Sequence, residues 1–260
     1  MCFAYRDGER SEALIEHMKE TANYCLHRWE LDALSAKISK LLGIGQNHVK
    51  EAIIVAALTH DIGKAAEIYQ IDCIKNTCKL FEGHYMVSAF LLHLAFNAKG
   101  IYLNSRDAVK FLLHNPTELA SDKVLALLIV LPVITHHYHQ VRGYLSYESS
   151  KHNAVSKFLD KPTIHRPCLD CFSEMLGYAE INVFKDFMHM LYNVLVSIDR
   201  LKGSDKYNTS KIFVENFFKS VIEEALKINS VTLGKVIVES ISGLINLCDG
   251  FAASRSRKRG

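Results

Sequence analysis

Apolar residues in this chain recur at i, i+3 and i+4 over most of its length, and only four prolines and thirteen glycines interrupt 260 residues. That period puts apolar side chains on one face of a helix, and a chain with so few breakers can sustain it. The pattern predicts helices over 11–28, 30–42, 48–62, 84–97, 105–114, 121–138, 181–202, 211–228 and 231–248. Ser11 reads as the N-cap of the first. There is no run of alternating strands and no internal repeat, so the expected fold is all-α. One compact domain is expected over 1–250, with a long irregular insertion over 140–180 and a tail over 251–260. At 49% hydrophobic, a chain of this size can bury a core without covalent staples.

The insertion begins with a stretch, 140–167, that lacks apolar periodicity and holds Pro162 and Pro167. Arg142, Lys151, Lys157, Lys161 and Arg166 are interleaved there with Tyr144, Tyr147 and Phe158. Basic and aromatic residues together could contact phosphates and stack bases; a solvated surface insertion would carry the same composition.

The formal charge is 31 − 28 = +3, but Arg255, Arg257, Lys258 and Arg259 supply four of the positive charges, and without them the balance is 27 − 28 = −1. A near-neutral body excludes a basic DNA-coating protein while leaving room for an enzyme acting on nucleic acid. The tail itself reads as a disordered terminus. The first ten residues have no apolar core of a secretory signal, and the longest apolar run, Val124 to Ile134, is too short to span a bilayer. A cytoplasmic protein with no membrane partner is expected. Seven scattered cysteines, with one CxxC at Cys168 and Cys171, fit a structural zinc site poorly and read as reduced or incidental, with disulfides as the alternative.

The chemistry lies in where the histidines fall. His17 follows Ala13 and Leu14 at i+4 and i+3; His60 and Asp61 follow Ala57; His136 and His137 follow Val133; Asp199 follows Leu195. Each continues a helix's core face. His84 opens a helix whose later positions are strongly apolar. Inward carboxylates are costly unless a cation compensates them, and here two coincide with several inward imidazoles. A shared divalent metal site is the economical explanation. Gly63 can end its helix as an αL cap, leaving Lys64 just beyond the doublet to meet a phosphate. Pro132, one turn before His136, could bend its helix toward the site.

The order His17, His60-Asp61-Ile-Gly-Lys64, Gly83-His84-Tyr-Met-Val-Ser88, His136-His137 and Ser197-Ile-Asp199-Arg200 resembles the HD-domain metal-dependent phosphohydrolases. More narrowly it is similar to the HD nuclease of type I CRISPR systems, over His17 to about Asp205. The resemblance implies an all-α pocket with two divalent ions. His17, His60, Asp61 and Asp199 would hold one; Asp61 would bridge to a second, completed by His84, His136 and His137. Asp61 and Lys64 would be catalytic, with Lys64 facing the scissile phosphate. Tyr138 and His139 follow the double histidine where such enzymes often have a small residue.

Mixed imidazole and carboxylate ligands favour Mn, Ni, Co or Fe over Mg. Lys64, Ser88, His139 and Arg200 are the candidate substrate contacts, Ser88 alternatively orienting His84. The remaining histidines, His27, His48, His93, His114, His152, His165 and His189, are read as ordinary core or surface residues. No phosphate-cradling Gly-x-x-x-x-Gly-Lys-Ser/Thr motif occurs, so a helicase and an RNA-guided surveillance complex would be separate partners. The expected reaction is hydrolysis of single-stranded DNA, with RNA as the other polymer. Two other readings compete: a phosphohydrolase of nucleotides or cyclic nucleotides, and an idle module that docks on a CRISPR complex.

Overall fold

The computed structural model describes residues 1–75, 77–78, 81–137, 152–177, 182–217 and 231–256. Twelve α-helices are described: α1 Leu14–Leu26, α2 Trp29–Leu42, α3 Gln46–Thr59, α4 Glu67–Ile74, α5 His84–Ala98, α6 Ser105–Leu113, α7 Ser121–Thr135, α8 His152–Asp160, α9 Arg166–Phe172, α10 Lys185–Leu201, α11 Asp205–Asn216 and α12 Leu233–Ser256. The expected all-α class holds. Helix α5 is the axis: every residue from His84 to Asn97 is buried, and α7, α10 and α11 pack around it. Helices α1 and α3 pack against each other, α3 also against α7, and α12 lies across α1 and α7.

Several expectations need correction. The chain starts with strands, not helix: β1 Phe3–Asp7 pairs antiparallel with β2 Arg10–Ala13 and with β3 Thr77–Cys78, in the order β2-β1-β3. Gly8-Glu9 makes the two-residue hairpin turn between the paired Asp7 and Arg10, Gly8 taking φ 62°, the left-handed region that glycine occupies without a steric cost. Ser11 is accordingly a strand residue opposite Arg6, and Ala13 precedes the helix without a side-chain cap.

The insertion is partly helical. Helix α8 buries Val155, Phe158 and Leu159, and Phe158 packs edge-on against Phe90 at 6.0 Å, so it is a core residue and not a stacking platform. Residues 163–165 run beside 65–67, with Glu67 N–H donating to Thr163 O and His165 N–H to Ala65 O, both at 2.9 Å. Arg142, Tyr144, Tyr147 and Lys151 lie outside the described residues.

Helix α12 continues past the expected tail boundary to Ser256. It is long and apolar enough to cross a membrane by length and composition, yet Ile237, Val238, Ile241, Ile245, Cys248 and Ala252 are buried against the domain.

Six of the seven cysteines are paired. Cys2–Cys168, Cys25–Cys248 and Cys73–Cys78 are disulfides, with Cα–Cα distances of 4.9, 5.6 and 4.5 Å that suit bridging. The CxxC is therefore split: Cys168 bonds to the N-terminal strand region while Cys171 is a free thiol.

Candidate metal centre

Three histidines reach the centre by one local device. His60 and His136 stand at the C-terminal ends of α3 and α7, where helix carbonyls lack intrahelical partners. His60 Nδ1 bonds to Ala57 O at 2.8 Å and His136 Nδ1 to Val133 O at 2.6 Å. His84, opening α5, bonds through Nδ1 to Phe81 O at 2.5 Å. A carbonyl can only accept, so each Nδ1 carries a hydrogen, and Nε2 is the nitrogen that presents a lone pair when the ring is neutral. His17, in the first turn of α1, does the same through Glu12 Oε1 at 2.8 Å. Fixing the tautomer from behind in this way is the usual support of a metal-ligating imidazole.

Asp61 lies at the focus. Its Oδ2 is 3.3 Å from His17 Nε2 and 3.3 Å from His60 Nε2; its Oδ1 is 2.9 Å from His84 Nε2 and 3.9 Å from His136 Nε2. His137 Nε2 is 3.2 Å from His84 Nε2. A fourth side chain joins the His17 side: Asp249 Oδ1 is 2.9 Å from His17 Nε2 and 3.8 Å from His60 Nε2. Two donor groups result, His17-His60-Asp61-Asp249 and Asp61-His84-His136-His137, each with its ligand atoms within 4.8 Å of one another.

These groups suit divalent cations. Nε2 of His17, His60 and His136 and Oδ1 of Asp61 are buried and, although carboxylate or imidazole atoms stand close by, make no hydrogen bond of good geometry among the described residues. Buried polar atoms left so are costly unless something else satisfies them. Ligands each about 2.1 Å from one ion stand roughly 3–3.5 Å apart, close to the spacing seen.

The charge states differ between the groups. Burial holds His136 well below the ordinary histidine value and His84 below it, and pushes His137 down to about 3, so all three are neutral ligands at neutral pH. His60 is also buried, but Asp61 and Asp249 beside it outweigh burial and raise it to about 9. His17 is raised for the same reason by Asp249, Asp61 and Glu12. Asp61 and Asp249 are held well below the usual carboxylate range, their burial outweighed by His60, Lys64 and His84 around Asp61, and by His17 and His60 around Asp249.

Six of the seven expected ligands therefore converge. The seventh, Asp199, does not: it is exposed on α10, because that helix buries the face carrying Leu191, Val194, Leu195 and Ile198. Asp249 stands where Asp199 was expected. It lies one residue past 248, where the periodic pattern ends the last helix, whereas the helix runs on to Ser256. A signal was present, since Ser242, Asn246 and Asp249 follow one another at i, i+4 and i+7 along an otherwise apolar stretch. Ser242 Oγ is 3.0 Å from Thr135 Oγ1 and Asn246 donates to His136 O at 2.6 Å, so this polar stripe registers α12 against the end of α7.

Lys64 Nζ donates to Asp61 Oδ2 at 2.6 Å and lies over the Phe81 ring, 5.2 Å from its centroid. Gly63 is not an αL cap. It belongs to a 3₁₀ turn, Ile62–Ala65, pressed against the start of α5. A Cβ there would collide with His84 O and stand 2.6 Å from Ser88 N. Ser88 is fully buried and its Oγ accepts from Gly63 N–H at 2.8 Å, which fits a scaffold residue and not a substrate contact. Pro132 lies within α7. Arg200 is exposed on α10 beside Asp199, and His139 lies outside the described residues.

The family model described as Cas3, HD domain, matches residues 4–189 of this chain. One solved structure, described as the crystal structure of a CRISPR-associated protein, is similar at 18% identity with a TM-score of 0.35, covering 95% of this chain. This chain spans about a quarter of that protein's own length, 26%. No curated protein matches it.

Proposed function

Because the chain belongs to the Cas3 HD-domain family, and is thereby a metal-dependent hydrolase of CRISPR systems, we propose that it cuts single-stranded DNA with two divalent cations held on either side of Asp61. The observation that carries this reading is the division of labour at Asp61, whose two oxygens face different sets of imidazole nitrogens. Cations bound there would polarise the phosphate and lower the pKa of a water to make the attacking hydroxide.

The chain's own residues do the rest. Asp61 belongs to both donor groups and would be shared between the two cations. His84, His136 and His137, neutral at working pH, offer lone pairs without first losing protons. Lys64, whose Nζ is bonded to Asp61 Oδ2, carries the ammonium that would meet a phosphate oxygen beside the donors. The donors are recessed, with Asp61 only 1% exposed and His84 5%. A flexible single strand can enter such a recess where a stiff duplex cannot, and this favours single-stranded substrates. The imidazole-rich ligand set favours Mn, Ni, Co or Fe over Mg. A helicase and an RNA-guided complex are the expected partners.

The test is hydrolysis of labelled single-stranded DNA, RNA and free dNTPs across a panel of metals. Cleavage of oligonucleotide with manganese, lost by about 10³-fold or more in Asp61→Ala, is the expected result. Turnover of dNTPs alone would favour the nucleotide phosphohydrolase. An Asp61→Ala protein that still cuts DNA would remove the assignment.

A further inference from the structure

The imidazole of His17 is supported differently from its neighbours. His60, His84 and His136 each lean on a main-chain carbonyl three residues earlier. His17 sits in the first turn of α1, where the carbonyl three residues back belongs to Leu14 and faces along the helix. Its partner comes instead from the hairpin. Glu12 lies on β2, in register with Tyr5 of β1, and is the buried residue of a strand whose first two positions are exposed. Glu12 Oε1 is 2.8 Å from His17 Nδ1, and the two side chains are 4% and 3% exposed.

We propose that Glu12 is a positioning residue that makes the group His17-His60-Asp61-Asp249 the tighter of the two cation positions and the one filled first. Two carboxylates, Asp61 and Asp249, belong to that group, and Glu12 adds a third negative charge directly behind His17. The other group has Asp61 alone, with carbonyls behind two of its imidazoles. A carboxylate behind an imidazole fixes its orientation and raises its basicity toward a metal, and removing such a partner typically costs 10- to 100-fold in affinity. The inference rests on the two-cation reading above.

The experiment titrates the metal-free full chain with Mn²⁺, following free Mn²⁺ by electron paramagnetic resonance. Two phases are expected in the wild type. Glu12→Gln, which keeps an acceptor oxygen but removes the charge, should weaken the tighter phase by about 10- to 100-fold and leave the weaker phase unchanged. In the same variant the downfield His17 Nδ1–H resonance should move in the nuclear magnetic resonance spectrum, a shift that loss of packing elsewhere would not produce. Glu12→Ala should weaken the tight phase further; thermal melts establish that each variant is folded, and Glu12→Gln decides if Glu12→Ala is not. An unaltered tight phase in Glu12→Gln overturns the proposal. A single wild-type phase that Glu12→Gln weakens would preserve the positioning role while removing the two-cation reading; a single phase that it leaves alone would remove both.

Discussion

Asp199 and Asp249 carry the same local signature, an aspartate four residues after a buried aliphatic, Leu195 in one case and Ile245 in the other. Four residues advance a helix by about 40° beyond a full turn, which can carry a side chain over the edge of its buried face. On α10 that step leaves Asp199 in solvent; on α12 the neighbours Ser242 and Asn246 hold the turn so that Asp249 faces His17. Asp249→Ala is therefore expected to lower metal-dependent hydrolysis by about 10²-fold or more through loss of a cation, and Asp199→Ala to leave it within about twofold. Equal activity of the two variants in a manganese assay would reverse this assignment. At this scale the candidate site was largely legible, because a histidine or aspartate that continues an apolar stripe has few places to go but inward. His17, His60, Asp61 and the 136/137 doublet continue such stripes, and His84 opens one. The face test fails only at the margin of a stripe, as Asp199 illustrates, where tertiary packing decides.

Between the ligands stand the elements that aim them, and these were harder to read. The turn Ile62–Ala65 brings Asp61 and Lys64 against the start of α5, and Gly63 is the contact point. Its role is close approach and not chain reversal, a distinction spacing alone does not carry. Gly63→Ala should destabilise the fold by about 1–3 kcal/mol, since backbone atoms and not a flexible side-chain tip must yield. Denaturant unfolding measures this, and a loss below about 0.5 kcal/mol would mean that the turn and α5 part without strain. The opening hairpin is hard to read because its strands are short and Gly8 is its one turn signal, while apolar residues from Ala13 onward suggest a helix running back to Ser11. Helices α4, α8 and α9 are short, 8, 9 and 7 residues, and too brief for a periodic pattern to separate them from loop. Their stability comes from packing, as with Phe158 on Phe90.

Across the whole molecule, α5 and α11 are joined by a buried polar knot remote in chemistry from the cation groups. His93 bonds to Ser210 Oγ at 2.9 Å through Nδ1 and to Leu103 O at 3.2 Å through Nε2. Burial pushes its pKa down to about 3, from an ordinary 6.5. The sign is unambiguous: the unfolded chain takes up a proton there as pH drops below 6.5, and the folded chain does not. His93 thus costs no stability above that pH and up to about 1.4 kcal/mol per pH unit as pH falls from 6.5 toward 3. Urea unfolding at pH 7 and pH 5 should show a smaller acid loss, by about 2 kcal/mol, in His93→Gln than in the parent; identical losses would mean the imidazole is not held neutral. The same global view explains why the sequence hid the fourth ligand of the His17 group. Its donors come from residue 17 and residue 249, helices from opposite ends of the chain that are also linked by Cys25–Cys248. A polypeptide clipped before α12 carries only three of those four donors. Such a cut would leave the other group, Asp61-His84-His136-His137, whole, so the two candidate cation positions differ in their dependence on that one helix.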